Sequence, residues 1–326
     1  MKIFVSGATG FIGSQLVKAL ANSGHLVHAL YRSESKTINL VHPNIKLFKG
    51  NILNIHSLEN AMEGCEQAYH VAAYANIWEK DCSVIYRLNI EGTMNVIQTA
   101  IKNNVGRIVC TSTAGVLGPG GDLIIDEEYP PPESFFADYE SSKAILEGIL
   151  KTISLAGPEI ITVNPTRVYG PGVMSESNGV TIMIKNYIRG KWHIIPGNGK
   201  SKGNYVHVND VVNGHMLAME KGRNGERYLL GGENQSYNEF FKTLSKVSGK
   251  NHFLVKIPPI LMLGLAYFMM IRAYVFGIKP MITPPLVRKI NHNFNISSAK
   301  AIRELGYSPV NLKNGLEDTV KWLDNL

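Results

Sequence analysis

The N-terminal segment places the strongest constraint on the fold. An apolar run, Ile3–Ser6, leads directly into Gly7-Ala8-Thr9-Gly10-Phe11-Ile12-Gly13, and a helical pattern over Ile12–Asn22 follows. Glycines at this spacing permit a sharp turn and let a bound group approach the backbone closely. The N-terminus of the following helix offers free N–H groups and a partial positive charge. This strand–turn–helix unit therefore predicts a pyrophosphate-binding loop.

The same alternation of strand-like and helical patterns continues through the first half of the chain. Helical patterns such as Ser83–Asn103 and Ala137–Leu155 separate short apolar runs. The predicted strands are Ile3–Ser6, Val27–Tyr31, Lys46–Lys49, Gln67–Ala72, Arg107–Thr111 and Ile160–Asn164. Continuous apolar runs are typical of parallel strands buried on both faces, and their alternation with helices indicates βαβ units. The sequence thus predicts an α/β fold with a Rossmann-type doubly wound parallel sheet over residues 1–172.

The pattern changes after Pro165. Loops become longer and richer in Gly, Pro and Asn, and one more strand-like run, Arg227–Leu230, precedes several helical patterns. We interpret residues 173–326 as a smaller, mainly helical substrate-binding lobe. Some of its strands are expected to return to the main sheet.

Charge and cysteine content narrow the function classes. The formal net charge is +7, but the basic residues are scattered, which argues against nucleic acid and favours an anionic cofactor or a lipid surface. The three cysteines lack metal-ligand spacing, so we expect no metal site and reduced thiols. Met1 leads directly into the first apolar run, and we therefore expect a cytoplasmic protein without a signal peptide.

The end of the second predicted strand bears on cofactor choice. An acidic residue there would accept hydrogen bonds from a ribose 2′-hydroxyl and favour NAD. This chain has Arg32, with Lys36 close by, and a guanidinium pairs well with a phosphate. Arg32 thus favours NADP over NAD. A solvated Arg32 that stacks on adenine stays open as an alternative.

Tyr139 and Lys143 form the candidate catalytic pair. They are four residues apart and therefore share one face of a helix. A neighbouring ammonium favours the phenolate and lowers the pKa of a tyrosine, which can then exchange a proton with a substrate oxygen. The fifth predicted strand ends in Thr111-Ser112-Thr113, at the edge where such sheets bind ligands. We therefore assign catalytic roles to Thr113, Tyr139 and Lys143, with hydride exchanged by a nicotinamide cofactor.

These motifs resemble those of the extended short-chain dehydrogenases of the NAD-dependent epimerase/dehydratase family. The resemblance covers nearly the whole chain and is greatest to the dihydroflavonol-4-reductase-like and 3β-hydroxysteroid-dehydrogenase-like branch, including hopanoid-associated sugar epimerase-like proteins. Segments that carry it include His70-Val71-Ala72-Ala73, Asn89–Val96 and Asn204–Val211. The cofactor contacts that the resemblance implies are Gly7, Thr9, Gly10, Phe11, Ile12, Gly13, Arg32, Asn51, Ile52, Ala72, Ala73, Thr111, Tyr139, Lys143, Pro165, Thr166 and Val168.

Three departures from the family pattern bear on the substrate. Asn51 stands where the family has an Asp that contacts adenine, and its amide oxygen can still accept that hydrogen bond. Ser112-Thr113 lacks the Asp-Glu of sugar-nucleotide dehydratases, which argues against 4,6-dehydration. Lys202-Gly203-Asn204 replaces an Arg-Asp pair of many nucleotide-sugar enzymes, which weakens the case for a diphosphate-sugar substrate.

Apolar and aromatic segments indicate an apolar substrate. Ile260–Ile271 is a run without charge that is too short for a typical membrane span. Three roles stay open for residues 260–278, namely a helix of the substrate lobe, a homodimer contact and a peripheral helix on a membrane surface. The predicted substrate contacts are Tyr74, Trp78, Thr113 and Arg167.

Three functions are compatible with these features. The first is a reductase or dehydrogenase that interconverts a carbonyl and an alcohol on a largely apolar small molecule. The second is a nucleotide-sugar epimerase with tightly held NAD. The third is a non-enzymatic NAD(P) sensor, against which Tyr139 and Lys143 argue.

Overall fold

The computed structural model describes residues 1–76, 78–155, 157–174 and 178–326. The strands in chain order are β1 (Lys2–Ser6), β2 (Leu26–Tyr31), β3 (Ile45–Lys49), β4 (Gln67–His70), β5 (Arg107–Thr111), β6 (Ile124–Ile125), β7 (Glu159–Pro165), β8 (Arg167–Tyr169), β9 (Ile194–Pro196), β10 (Lys202–His207), β11 (Arg227–Leu230), β12 (Glu233–Ser236), β13 (Val255–Ile257) and β14 (Asn295–Ile296).

The α-helices in chain order are α1 (Phe11–Asn22), α2 (Ile55–Met62), α3 (Ser83–Tyr86), α4 (Gly92–Lys102), α5 (Asp138–Ile153), α6 (Gly179–Ile188), α7 (Val208–Lys221), α8 (Tyr237–Ser248), α9 (Pro259–Phe276), α10 (Pro284–Ile290), α11 (Ala299–Leu305) and α12 (Leu312–Asp324). A π-helical turn, Arg87–Glu91, joins α3 to α4, so the predicted helix Ser83–Asn103 contains a local widening. Such turns are frequent at functional sites.

Seven parallel strands form the main sheet in the order β3-β2-β1-β4-β5-β7-β11. The direction of winding reverses between β1 and β4, and this switch point is where open α/β sheets bind ligands. The predicted doubly wound Rossmann-type sheet is confirmed. The predicted strand Gln67–Ala72 ends earlier, at His70, because the chain turns away there and Ala72 N donates to the Ser6 side chain instead.

The strand sequences account for the layered core. Successive side chains of a strand point to opposite faces. Val5 packs with Leu16 of α1 on one face of the sheet, whereas Phe4 packs with Val96 of α4 on the other. Because both faces are covered, nearly all side chains of the central strands β1, β4, β5 and β7 are buried.

The residues beyond 172 contribute to both parts of the molecule. The strand β11 pairs with β7 in the main sheet, and Val211 of α7 packs in the same core as Val5. The rest forms a second core around Tyr187, Phe240 and Leu316, with a small sheet in the order β12-β10-β8 beside it. This second core includes Tyr169 of β8, the strand that directly follows the carboxyl end of β7.

Candidate active site

A cavity of about 510 Å³ lies along the carboxyl edge of the main sheet. The glycine loop forms one end, and the first turn of α5 and the helix α10 form the other. Every predicted cofactor residue except Lys143 lines this cavity. The structure therefore brings together residues that the sequence places more than 150 positions apart.

The glycine loop fits a pyrophosphate. Gly10 N donates to Gly7 O at 2.9 Å, and α1 begins at Phe11 with no side-chain cap and no acidic residue in its first turn. A Cβ added at Gly13 would lie 2.1 Å from Gly7 O, and one at Gly7 would lie 2.6 Å from Ala72 N. The tight contacts thus require glycine, and they leave the helix N–H groups exposed to an anion in the cavity.

Two cations line the cavity just after the end of β2. Arg32 and Lys36 are exposed and line it, and neither forms an ion pair with any described residue. The nearby Glu34 pairs with Lys49 at 3.2 Å instead. Arg32 and Lys36 can therefore contact a phosphate group of a ligand bound in this cavity.

Tyr139 and Lys143 lie one turn apart in α5, as predicted, but they occupy different environments. Tyr139 lines the cavity, whereas Lys143 is fully buried and its Nζ donates to Thr111 O at 2.8 Å. Burial lowers the pKa of Lys143 to about 8. Burial, together with the charge of Glu140, raises the pKa of Tyr139 above its usual value.

The expectation that Lys143 lowers the pKa of Tyr139 is therefore not met in this structure. The ammonium is directed at the Thr111 carbonyl, and the depth of the site disfavours charge on both groups. Tyr139 consequently holds its proton at neutral pH. This is the form that can donate a proton to a substrate oxygen.

Thr113 lies beside the tyrosine at the end of β5. Its Oγ1 accepts a hydrogen bond from Gly115 N at 3.1 Å and still has a proton to donate into the cavity. The neighbouring Ser112 also lines the cavity, and its buried hydroxyl has no hydrogen-bond partner among the described residues. The sequence analysis assigned a catalytic role to Thr113 only. Because both residues directly follow β5, their position in the sequence does not distinguish the two hydroxyls.

Asn89 holds the parts of this end of the cavity together. It lies in the π-helical turn, donates through Nδ2 to Ser142 Oγ at 2.9 Å, and accepts through Oδ1 from Tyr74 N at 2.8 Å. Ser142 in turn donates to Tyr139 O at 2.8 Å. The widened turn thus positions α5 relative to the loop that follows β4.

The predicted substrate contacts separate into two groups. Tyr74 and Thr113 line the main cavity, whereas Trp78 does not and instead packs edge-to-face on Tyr274 of α9, with ring centroids 6.1 Å apart. An aromatic side chain in this loop can bury its apolar surface either against α9 or against a ligand. The sequence could not distinguish these two roles for Trp78.

Arg167 lies beside the main cavity in a smaller one of about 60 Å³, which Thr113 also lines. Its guanidinium lies over the rings of Tyr205 and Tyr237 and donates to both phenol oxygens at 3.2 Å. A Cβ at Gly203 would lie only 2.3 Å from Nη1, so the absence of a side chain there makes room for the guanidinium. No carboxylate of the described chain pairs with Arg167.

The roof of the cavity comes from residues that sequence analysis did not identify. Thr283, Pro285, Leu286 and Lys289 of the α10 region line it, and Lys289 forms an ion pair with Glu140, next to Tyr139. This contact joins positions 149 residues apart. No local sequence signal could have indicated it.

Comparisons with known proteins establish the family. The sequence model of the NAD dependent epimerase/dehydratase family matches residues 3–231. Sterol demethylase protein B of Methylococcus capsulatus is 31% identical over 327 residues, which cover 99% of this chain and 98% of that protein. A Synechocystis sp. protein provisionally named dihydroflavonol 4-reductase is 32% identical over 328 residues, or 99% and 94% of the two chains.

A solved structure is similar to this protein in both fold and sequence. The crystal structure of gox2253 shares 31% identity and a TM-score of 0.83, and covers 99% of this chain and 98% of its own. The chain belongs to the NAD-dependent epimerase/dehydratase family. Named dehydrogenases and reductases that act on small molecules are among its relatives, and the protein is an oxidoreductase.

Proposed function

We propose that this protein is an NADP-dependent reductase or dehydrogenase that interconverts a carbonyl and an alcohol on a largely apolar small molecule. One observation carries the proposal: the cavity that holds Thr113 and Tyr139 is also lined by large apolar side chains that are not among the predicted cofactor contacts. They include Phe136, Val173, Met174, Pro285 and Leu286. Burial of a ring system against such a surface stabilises binding by about 25 cal/mol per Å², and the sterol-related name of one relative fits this chemistry.

Each catalytic residue has a defined role in this reaction. A bound nicotinamide supplies hydride exchange at the reacting carbon. The Thr113 hydroxyl orients the substrate oxygen, and Tyr139 donates a proton to that oxygen on reduction and takes it back on oxidation. Lys143, protonated below a pKa of about 8, supplies positive charge behind Tyr139 when the tyrosine has given up its proton.

Arg32 is the residue that we propose to select NADP. A charge-assisted hydrogen bond is worth about 1.5–3 kcal/mol, so NADPH should bind roughly tenfold or more tightly than NADH. Arg32→Ala should abolish this difference, whereas Lys151→Ala, which removes an exposed charge at the end of α5, should leave it unchanged. Titration of both cofactors measures the ratio. Equal affinities for the wild-type protein would argue for NAD.

Arg167 supports a narrower substrate class within this function. A guanidinium without a carboxylate partner, in a small cavity beside Thr113, is suited to an anionic group close to the reacting carbon. The proposed substrate is therefore an apolar alcohol that carries a carboxylate near its hydroxyl group.

Arg167→Gln tests this anchor. We expect the KM for a hydroxysteroid with a carboxylate next to the hydroxyl to rise about tenfold or more, because a hydrogen bond to a charged group is lost. The KM for the same steroid without the carboxylate should stay constant, and this pair of substrates separates lost recognition from general damage. A wild-type protein with the same KM for both compounds would show that Arg167 does not bind the carboxylate.

A nucleotide-sugar epimerase with tightly held NAD is the second candidate, because Arg167 could equally bind a phosphate of such a substrate. Thermal-shift measurements with cofactor present distinguish the two functions. The reductase proposal predicts stabilisation by apolar hydroxy or keto compounds and none by UDP or UDP-hexose. The reverse pattern at micromolar ligand would favour the epimerase.

A further inference from the structure

The helix α9 exposes an unusual amount of apolar surface. It has a mean hydropathy of 1.7 over 18 residues, and only 17% of it is buried. By length and composition alone it is the one helix in the described ranges that could cross a membrane. Its large apolar side chains that are exposed are Ile260, Leu261, Leu265, Tyr267, Phe268, Ile271, Tyr274, Val275 and Phe276. A patch of this size on a folded protein marks an interaction surface.

The remaining face of α9 is attached to the protein. Met262 and Ala266 pack with Val287 of α10 in a small apolar core, and Arg288 donates to Tyr267 Oη at 3.2 Å. A membrane-spanning orientation would break these contacts and carry Arg272 into the bilayer. The helix is therefore placed to lie along a surface rather than to cross one.

The charge of the chain around α9 favours an anionic binding surface. Residues 240–303 contain no Asp or Glu. Their ten basic residues are Lys242, Lys246, Lys250, Lys256, Arg272, Lys279, Arg288, Lys289, Lys300 and Arg303. With the formal net charge of +7, the rest of the chain carries 7 − 10 = −3. Lys289, Lys300 and Arg303 form ion pairs with carboxylates outside this segment. The basic residues on α9 or near it in the chain are Lys256, Arg272, Lys279 and Arg288.

We propose that α9 docks on an anionic lipid bilayer, with its axis in the membrane plane and its exposed apolar side chains at the boundary of headgroups and acyl chains. An apolar helix face flanked by basic residues is the pattern that binds such surfaces. A second copy of this chain fits less well, because a symmetric contact through α9 would bring two such basic segments together.

Docking at α9 places the membrane next to the active-site cavity. The helix α10 packs on α9 and contributes Pro285 and Leu286 to the cavity roof, and Trp78 joins the cavity loop to Tyr274. If the proposed function holds, an apolar substrate can therefore pass from the bilayer to the cavity along this contact. The docking itself does not depend on the nature of the substrate.

Flotation of the full-length protein with vesicles tests the proposal. We expect the wild-type protein to float with phosphatidylcholine vesicles that contain about one third phosphatidylglycerol, and to bind pure phosphatidylcholine vesicles about tenfold more weakly. The triple variant Leu265→Glu, Phe268→Glu, Phe276→Glu should bind the anionic vesicles at least about tenfold more weakly than the wild type. Thermal unfolding of each variant shows whether it is folded.

A matched control carries the same three charges elsewhere. Leu123→Glu, Leu155→Glu, Leu326→Glu alters equally exposed leucines away from α9 and should float like the wild type. The proposal is overturned if the wild type does not float with anionic vesicles or if both triple variants lose binding equally. It is also overturned if the wild type sediments as a dimer that only the α9 variant dissociates, without lipid binding, since α9 would then be a subunit interface.

Discussion

Replacing Tyr139 with phenylalanine will lower turnover by about 10²–10⁴-fold, the usual contribution of general acid–base catalysis. The ring faces the cavity beside Thr113, and burial raises the pKa of the hydroxyl, so that it is a proton donor at neutral pH. Phenylalanine keeps the ring and removes only the proton. Cofactor affinity should remain close to that of the wild type.

Steady-state kinetics with cofactor titration measures both quantities. Tyr187→Phe is the control, because the Tyr187 hydroxyl donates to Lys250 O at 3.1 Å in the second core and does not line the cavity. Turnover of Tyr139→Phe within threefold of the wild type would exclude Tyr139 as the acid/base, and a parallel loss in the control would point to a general effect on folding.

The variant Gly13→Ala will have the second-largest effect, on cofactor binding. An added Cβ would lie 2.1 Å from Gly7 O and 2.8 Å from Gly7 C, both of which are backbone atoms. The loop must shift because no side chain can rotate away. Overpacking of this kind costs about 1–3 kcal/mol or more, so we expect cofactor affinity to fall by up to about 100-fold, with a lower Tm.

Gly148→Ala provides the comparison. Gly148 is an exposed glycine of α5 with open space where the Cβ would be, and alanine there should stabilise the helix by about 0.5–1 kcal/mol. Fluorescence titration with the cofactor and thermal unfolding measure both variants. Unchanged cofactor affinity in Gly13→Ala would mean that the glycine loop does not hold the pyrophosphate.

The sequence predicts features that arise within one structural unit. The glycine loop lies in a single strand–turn–helix segment, and Tyr139 and Lys143 are one helical turn apart, so local spacing is sufficient to place them. The apolar runs likewise predict the buried strands β1, β2, β4, β5 and β7, since burial on both faces leaves a clear compositional signal. The sixth predicted strand, β3, lies at the edge of the sheet and is largely exposed.

Features that depend on tertiary packing could not be predicted from the sequence. The pair Glu140–Lys289 and the roof formed by α10 result from contacts between distant segments. The sequence also does not give the depth of a site, and depth governs the charge of Lys143 and Tyr139. A charge-based argument predicted a lowered pKa for Tyr139, but burial and the charge of Glu140 raise that pKa in the folded protein.

The central claim is net hydride exchange with an apolar alcohol or ketone. It is tested most directly by following nicotinamide absorbance while the protein acts on a panel of hydroxysteroids, other ring-bearing alcohols and UDP-hexoses, with NADP and NAD in turn. The account predicts a net absorbance change with at least one apolar alcohol, faster with NADP and at least about 100-fold slower in Tyr139→Phe. Interconversion of a UDP-hexose without net absorbance change, and with no response to any apolar alcohol or ketone, would contradict it.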